Sequence, residues 1–457
     1  MKDSFSRLRS ILTFGIAIIF LSNLFVKSDF LQDLNLVMML VVIFLSFLVV
    51  SGTTLIIGSM LFLLSIILFL SYGAPLSIWL QALQENIYLV VMFALVPLLG
   101  IPIRHGGYFE ALRGLFQRYV YNDSRFYLLV SFVSAFVGVL VNLAVVPLVL
   151  QISQASSKSS NRKLLSSAIV RGFATCTIWA PTTAAIALVV QLSGASWLTF
   201  SPFAVLCGVI AGLTGYFLTM YEEKKAGNDP LAAGEEPAGE FDPGKVIELS
   251  IFSIILIAAI AVLSFVTGIH TIVVVSLASI IYPIAWLGII GKLQILVREF
   301  KIYFNESLPK LQNEIILFMG AGLFATSISY SHLGSYVSLF LSYVVGNNAF
   351  LLAIVIILCI LLLSALGVHP IIPVTIVGGT IKAAAYGVTP TYLALVLAIS
   401  WSMGISISPS SATVIALSGL TGQSPIQVGP RWNGRYVLIS SGIMLLALTL
   451  FRFIGIL

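Results

Sequence analysis

The sequence predicts an all-α polytopic membrane protein of about eleven transmembrane helices arranged as two inverted repeats. Three observations predict it. Of 457 residues, 59% are hydrophobic and 9% charged, a composition too apolar for a water-soluble chain of this size. Runs of roughly 20 apolar residues recur along the whole length. Two hydroxyl-rich, proline-broken stretches, TIWAPTTAA (Thr177 to Ala185) and SISPSSATV (Ser406 to Val414), lie half a chain apart, their prolines separated by 409 − 181 = 228 positions. Pro181, Thr182, Thr183 and Ala184 match Pro409, Ser410, Ser411 and Ala412, and Ser193-Gly194 matches Thr421-Gly422 at the same offset. Proline removes one backbone donor and displaces a carbonyl, so each helix must loosen there, and lipid offers the freed groups no partner. One such kink can be absorbed by hydroxyls bonding back to the preceding turn. A matched pair points instead to a transporter site where two repeats meet.

Taken in order, the basic start (Lys2, Arg7, Arg9) precedes an apolar run with no small-x-small cleavage site, so Ile11 to Val26 reads as a retained first span. Leu34 to Val50, Thr54 to Tyr72 and Ile87 to Ile103 follow. Arg104 to Arg125 is basic and amphipathic, with Arg113 and Arg118 opposite Leu112, Leu115, Phe116 and Tyr119, the pattern of a helix lying at the cytoplasmic interface. Phe126 to Ile152 fits one tilted span with Asn142 as interhelical glue. Its Ser131, Ser134, Gly138 and Asn142, and the basic flanks Arg125, Lys158, Arg162 and Lys163, fit a re-entrant hairpin, and both readings stay open. Leu164 to Leu192 holds the first break and Phe200 to Met220 is a further span. Tyr221 to Lys245, rich in Glu, Gly, Ala and Pro, reads as a flexible cytoplasmic linker.

The second half repeats the plan. Val246 to Thr267 and Thr271 to Ile290 span, Lys292 to Lys310 is a second interfacial arm, and Glu314 to Tyr330 spans. Asn348 to Lys382, containing SALGVHPIIP, is the counterpart hairpin; Thr391 to Leu420 holds the second break, and Tyr436 to Ile456 is the last span. Lys and Arg concentrate in 1–10, 104–125, 158–171, 292–310 and 431–435 and are absent from 73–86, 193–199 and 331–347. Placing the basic stretches in the cytoplasm gives eleven spans, a cytoplasmic N-terminus and an external C-terminus, so the two halves are inverted. A bacterial inner membrane is the expected location. The net charge of +6 suits cytoplasmic loops beside anionic lipid, and nothing suggests nucleic acid. Cys176, Cys207 and Cys359 lie in apolar segments and form neither a disulfide framework nor a transition-metal motif.

The chemistry is read from an absence. No Asp or Glu occurs from Ile315 to Leu457, and Glu248 and Glu314 sit only at span ends, whereas a proton-driven antiporter relies on an intramembrane carboxylate. Backbone carbonyls and hydroxyls at helix breaks can hold sodium as a coupling ion in a neutral oxygen cage, and the half-helix N-termini turn positive ends toward an anion. Candidate contacts to a small anionic substrate are Thr182, Thr183, Ser410, Ser411 and Thr413 in the breaks, with Asn142, Ser364 and His369 at the hairpin tips. His369 has two readings: a donor to a carboxylate or sulfate-like oxygen, or a cap on the half-helix ahead of Pro370, where Gly367 and two prolines already demand a turn. No organic cofactor is expected. A membrane enzyme such as a glycan polymerase is disfavoured, because the external loops lack the polar residues such chemistry needs.

The two basic arms, the two hairpins and the paired breaks around Pro181 and Pro409 resemble the ion transporter superfamily, and within it the divalent anion/sodium symporter family. The family's Ser-Asn-Thr triplet is absent from both tips. The resemblance implies an elevator-type secondary transporter, a homodimer in the bilayer, and not an enzyme. It implies a scaffold of residues 1–125 and 246–347, transport parts at 126–220 and 348–457, and the linker at 221–245. Sodium-site roles carry over to Ser134, Gly138, Thr177 and Pro181 in the first half, and to Gly367, Ser406, Ser408 and Pro409 in the second.

Overall fold

The computed structural model describes residues 2–225, 241–346 and 348–457, and all regular structure among them is helical. By length and composition twelve helices can cross a membrane. The chain divides into two compact units.

The first unit comprises Met1–Pro102, Leu256–Val344 and Thr375–Ile381. Its helices Lys2–Val26, Asp29–Phe47 and Gly52–Ser71 enclose an apolar core with Ile87–Leu95 and Gln312–Tyr330. Gly58 is packed beneath Ile316, and a Cβ on Gly320 would stand 3.1 Å from the Phe62 ring. The expected span Ile87 to Ile103 is interrupted by a 3-10 turn at Val96–Leu99 carrying Pro97. The second basic arm runs through Leu296–Ile302 and a π-helical turn, Tyr303–Ser307, and the helix continues into the following span. Tyr303 is 2% exposed and donates its hydroxyl to the Ala94 carbonyl, which packs this arm against the unit's core.

The second unit comprises Ile103–Ile255, Val345–Val374 and Lys382–Leu457. In the first arm, helix Tyr108–Tyr119, Leu112 and Phe116 are buried, while Arg113, Arg118 and Tyr119 are exposed. Then come α1 (Asp123–Val141), α2 (Val145–Ser153), α3 (Arg162–Trp179), α4 (Ala184–Ser193) and α5 (Trp197–Lys225). The other half supplies α6 (Ala349–Ala365), α7 (Ile371–Thr380), α8 (Pro390–Ile407), α9 (Ala412–Thr421) and α10 (Trp432–Phe453). The last six positions of α7, with Ile381 after it, belong to the first unit. Side-chain caps open the four helices that matter. Asn122 accepts from Arg125 N at 2.8 Å, Asn161 from Leu164 N at 3.2 Å, Asn348 from Phe350 N at 3.0 Å and Thr389 from Tyr392 N at 3.1 Å. Each satisfies a backbone donor that lipid would leave bare.

Contacts settle the open reading of 126–152. α1 and α3 run in the same direction: Gly172 lies against Ser131, with 2.7 Å from its would-be Cβ to the Ser131 Cα, and Gly138 lies further along against Phe173 and Cys176. The chain must therefore return between them. It reverses at Asn142, whose φ is +52°, and Lys158 comes back to pair with Asp123 at 3.3 Å. α5 confirms the direction, its Glu222 meeting Lys163 at 2.9 Å and its Glu223 meeting the start of α1. Residues 126–152 thus form a hairpin, although 123–153 is among the twelve stretches of the described residues that are long and apolar enough to cross a membrane. The same logic holds in the second half. Tyr392 Oη donates to Ala349 O at 3.1 Å and Gly404 packs against Ser364, so α8 parallels α6 and the intervening chain turns back near Gly367, φ +98°.

Two boundaries are corrected. Residues 221–225 extend α5, and Pro243–Thr267 is already helical at 243–245, leaving 226–240 of the expected linker outside the described residues. Arg9 and Arg171, assigned to cytoplasmic basic stretches by charge counting, are 2% and 4% exposed inside helices.

Candidate functional site

Two broken helices crossing antiparallel make the centre of the second unit. Two rungs fix the direction, Arg162 Nη1 donating to Thr421 O at 2.9 Å and Ser402 Oγ donating to Ala174 O at 2.6 Å, and beyond the first broken helix the Thr199 hydroxyl of α5 lies 3.2 Å from that of Thr391. As one number rises the other falls. Residues 174 and 402 are 228 apart, the repeat offset itself, so the central rung joins a position to its own copy. The pseudo-twofold axis passes beside it.

The breaks are superimposable in conformation. α3 and α8 end at Trp179 and Ile407, with Ala180 at φ −72°, ψ 122° and Ser408 at φ −75°, ψ 122°. α4 and α9 end on Gly194 and Gly422 in the left-handed region, at φ +70° and +68°. Glycine tolerates that conformation, which lets both half-helices stop in register.

Their polar surroundings differ. Around Pro181 residues 180–183 are buried and Trp179 and Ala184 part-exposed: Thr182 Oγ1 donates to Val139 O of the first hairpin at 2.5 Å and Thr183 Oγ1 to Ala180 O at 2.8 Å. Trp197 Nε1 donates to Trp179 O at 3.1 Å. Around Pro409, Ser411 Oγ donates to Ile405 O at 2.7 Å and accepts from Val414 N at 3.4 Å, capping α9. Ser408 Oγ and Ser410 Oγ sit 2.9 Å apart, and Pro409 and Ser410 are part-exposed. Thr413 is buried beside them.

The remaining predicted residues are distributed as follows. Ser134, Thr177 and Ser406 each donate to a carbonyl of the preceding turn, at 2.7, 2.8 and 3.0 Å; their lone pairs stay available to a cation. Gly138 is a packing position against α3. Asn142 sits part-exposed at the first tip. His369 Nδ1 accepts from Ile371 N at 3.2 Å, which is the capping reading, and that tautomer leaves an Nε2 proton to donate. Ser364 Oγ is fully buried with no hydrogen-bond partner, 3.0 Å from where a Gly404 Cβ would be. Gly367 lies beside Pro409, so the second tip and the second break are neighbours.

Sequence reasoning missed Ser402 and Arg171. Ser402 was findable by applying the repeat offset to α3. Arg171 was not, because its partners come from 261 and 262 positions further on: Nη2 donates to Trp432 O at 3.0 Å and Nε to Asn433 Oδ1 at 2.8 Å.

No protein-family model matches the chain, and no curated protein matches it. Solved structures do. The Alcanivorax borkumensis YdaH transporter, described as having an unusual topology, aligns over 82% of this chain and 88% of its own, with a TM-score of 0.55 and 16% identity. Neisseria gonorrhoeae MtrF, one of a class of antimetabolite efflux pumps, aligns over 77% and 80%, with a TM-score of 0.50 and 15% identity. The chain therefore shares the fold of membrane transporters and is an integral membrane protein.

Proposed function

We propose that the chain is a secondary active transporter of a small anion such as a carboxylate, coupled to sodium and working by an elevator motion, with the second unit as the moving part. The observation that carries this reading is the antiparallel crossing of two broken helices, which brings two sets of hydroxyls and half-helix ends into one unit. The groups around the second break are hydroxyls and a histidine N–H donor, with no carboxylate among them, a set suited to an anion and a hard monovalent cation. Sodium coupling rests on the neutral oxygens and on the resemblance to the divalent anion/sodium symporters. The charge distribution supports a bacterial inner membrane with the N-terminus inside, and a homodimer follows from the same resemblance.

Uptake of labelled mono- and dicarboxylates by the purified protein in liposomes should collapse when choline replaces sodium. Unchanged uptake removes the coupling. A second reading, export, is favoured by the shared fold with MtrF, one of a class of efflux pumps; flux driven by a pH gradient without sodium would select it.

A further inference from the structure

Where α6 and α8 begin and α10 stops, the second unit holds an open groove of about 640 Å³. α8 opens the apolar stretch Pro390–Thr421 and α10 closes Gln427–Phe453, so the groove sits at the level where membrane-crossing helices leave the hydrocarbon. Phe350 and Phe453 line it, the latter 89% exposed. Rings left open at that depth suit acyl chains better than water.

The polar groups of the groove are donors. Arg452 carries a fixed charge, yet its Nη2 donates to the neutral Gly387 O at 2.8 Å and its Cζ lies 5.8 Å from the Tyr392 ring. No ion pair to it occurs among the described residues, and the sequence holds no Asp or Glu from 315 to 457. Asn348 spends its Oδ1 on the Phe350 and Leu351 N–H groups, at 3.0 and 3.1 Å, which leaves its amide N–H groups to donate. The Tyr392 and Thr449 hydroxyls are already given to the carbonyls of Ala349 and Leu445, at 3.1 and 2.8 Å. What remains is a guanidinium and a primary amide, with no carboxylate among the lining residues. Such a set takes an oxyanion, and the planar fork of arginine matches phosphate oxygens in pairs.

We infer that this groove binds an anionic phospholipid, its phosphate on the Arg452 guanidinium and the Asn348 amide and its acyl chains along Phe350 and Phe453. Free phosphate would meet the donors and leave the rings bare; a lipid satisfies both. Binding here is independent of the transport reading above, since a protein that moves no anion can still hold a lipid.

The test follows thermal unfolding of the full purified chain in detergent as dioleoylphosphatidylglycerol, dioleoylphosphatidylcholine or sodium phosphate is added at matched ionic strength. A ligand of the folded state raises Tm, and phosphatidylglycerol should raise it saturably and further than phosphatidylcholine. Anionic lipid also meets the exposed arginines of the first arm, so two variants locate the rise. Arg452→Gln removes the charge, and Asn348→Asp keeps the helix cap while setting a carboxylate in the groove. Each should raise the half-saturating phosphatidylglycerol concentration at least tenfold and leave Tm in phosphatidylcholine unchanged. Sodium phosphate should give no rise that these variants remove. No greater rise with phosphatidylglycerol than with phosphatidylcholine, or an unchanged half-saturating concentration in either variant, overturns the site; a sodium phosphate rise lost in both would give the groove to a small anion and overturn the lipid. If Arg452→Gln lowers Tm in phosphatidylcholine, Asn348→Asp decides alone.

Discussion

The two breaks have the same backbone and opposite surroundings. At the first, every hydroxyl is spent on a carbonyl, and Thr182 ties the break to the hairpin at Val139. At the second, Ser411 caps its half-helix while Ser410 and Pro409 keep part of their surface open beside the turn at Gly367. A duplicated backbone has thus been divided in labour. Both copies are tied to a hairpin carbonyl, Thr182 to Val139 and Ser408 to Val368 at 3.4 Å, and the second differs in keeping Pro409 and Ser410 part-exposed.

Four substitutions sharpen or break that division. Thr182→Val is nearly isosteric but deprives the Val139 carbonyl of its hydroxyl donor, so unfolding of the purified protein should come about 1–3 kcal/mol easier; a neutral result would mean the first break is not fastened by this bond. Gly429→Ala places a Cβ 2.8 Å from the Ile407 carbonyl at the second break, and overpacking of this kind typically costs about 1–3 kcal/mol. It should lower Tm and flux together, while an unaffected protein would show that the second break yields freely. Ser410→Ala should reduce anion flux roughly tenfold, about 1.4 kcal/mol, with Tm without ligand held within about 0.5 kcal/mol of wild type. Equal losses of flux in Ser410→Ala and Thr182→Val, after correction for folded protein, would end the distinction between the copies. Ser411→Ala removes an N-cap and should cost about 1 kcal/mol of stability, so it serves as the structural control on its neighbour.

The features that proved legible in the sequence are those encoded locally. Proline at 181 and 409 and glycine at 194 and 422 fix where helices stop, so the breaks fell at the same offset in the structure as in the chain. The direction of 126–152 was not legible, since one span and one hairpin obey the same length and flanking charge. Tertiary contacts such as Gly172 against Ser131 and Lys158 against Asp123 decide it. Arg171 defeated charge counting for a related reason: a guanidinium nine residues after Arg162 is grouped with the basic stretch before it until Asn433 and two tyrosine rings arrive from elsewhere to bury it. The amphipathic pattern of the second arm gave no sign that Tyr303 reaches the Ala94 carbonyl.

The bond from Ser402 to Ala174 has one further consequence. A point on a symmetry axis is a fulcrum, where a tilt of one half against the other produces almost no displacement, while the ends of the lever arms travel furthest. Spin labels at 174 and 402 should therefore hold one separation in every state of the cycle. Pairs at 162 and 421 and at 199 and 391 act as the pointers: if they too stay fixed under the conditions of the proposed transport, the unit travels as a solid body, and if they swing apart in opposition, it works by rocking about its own centre.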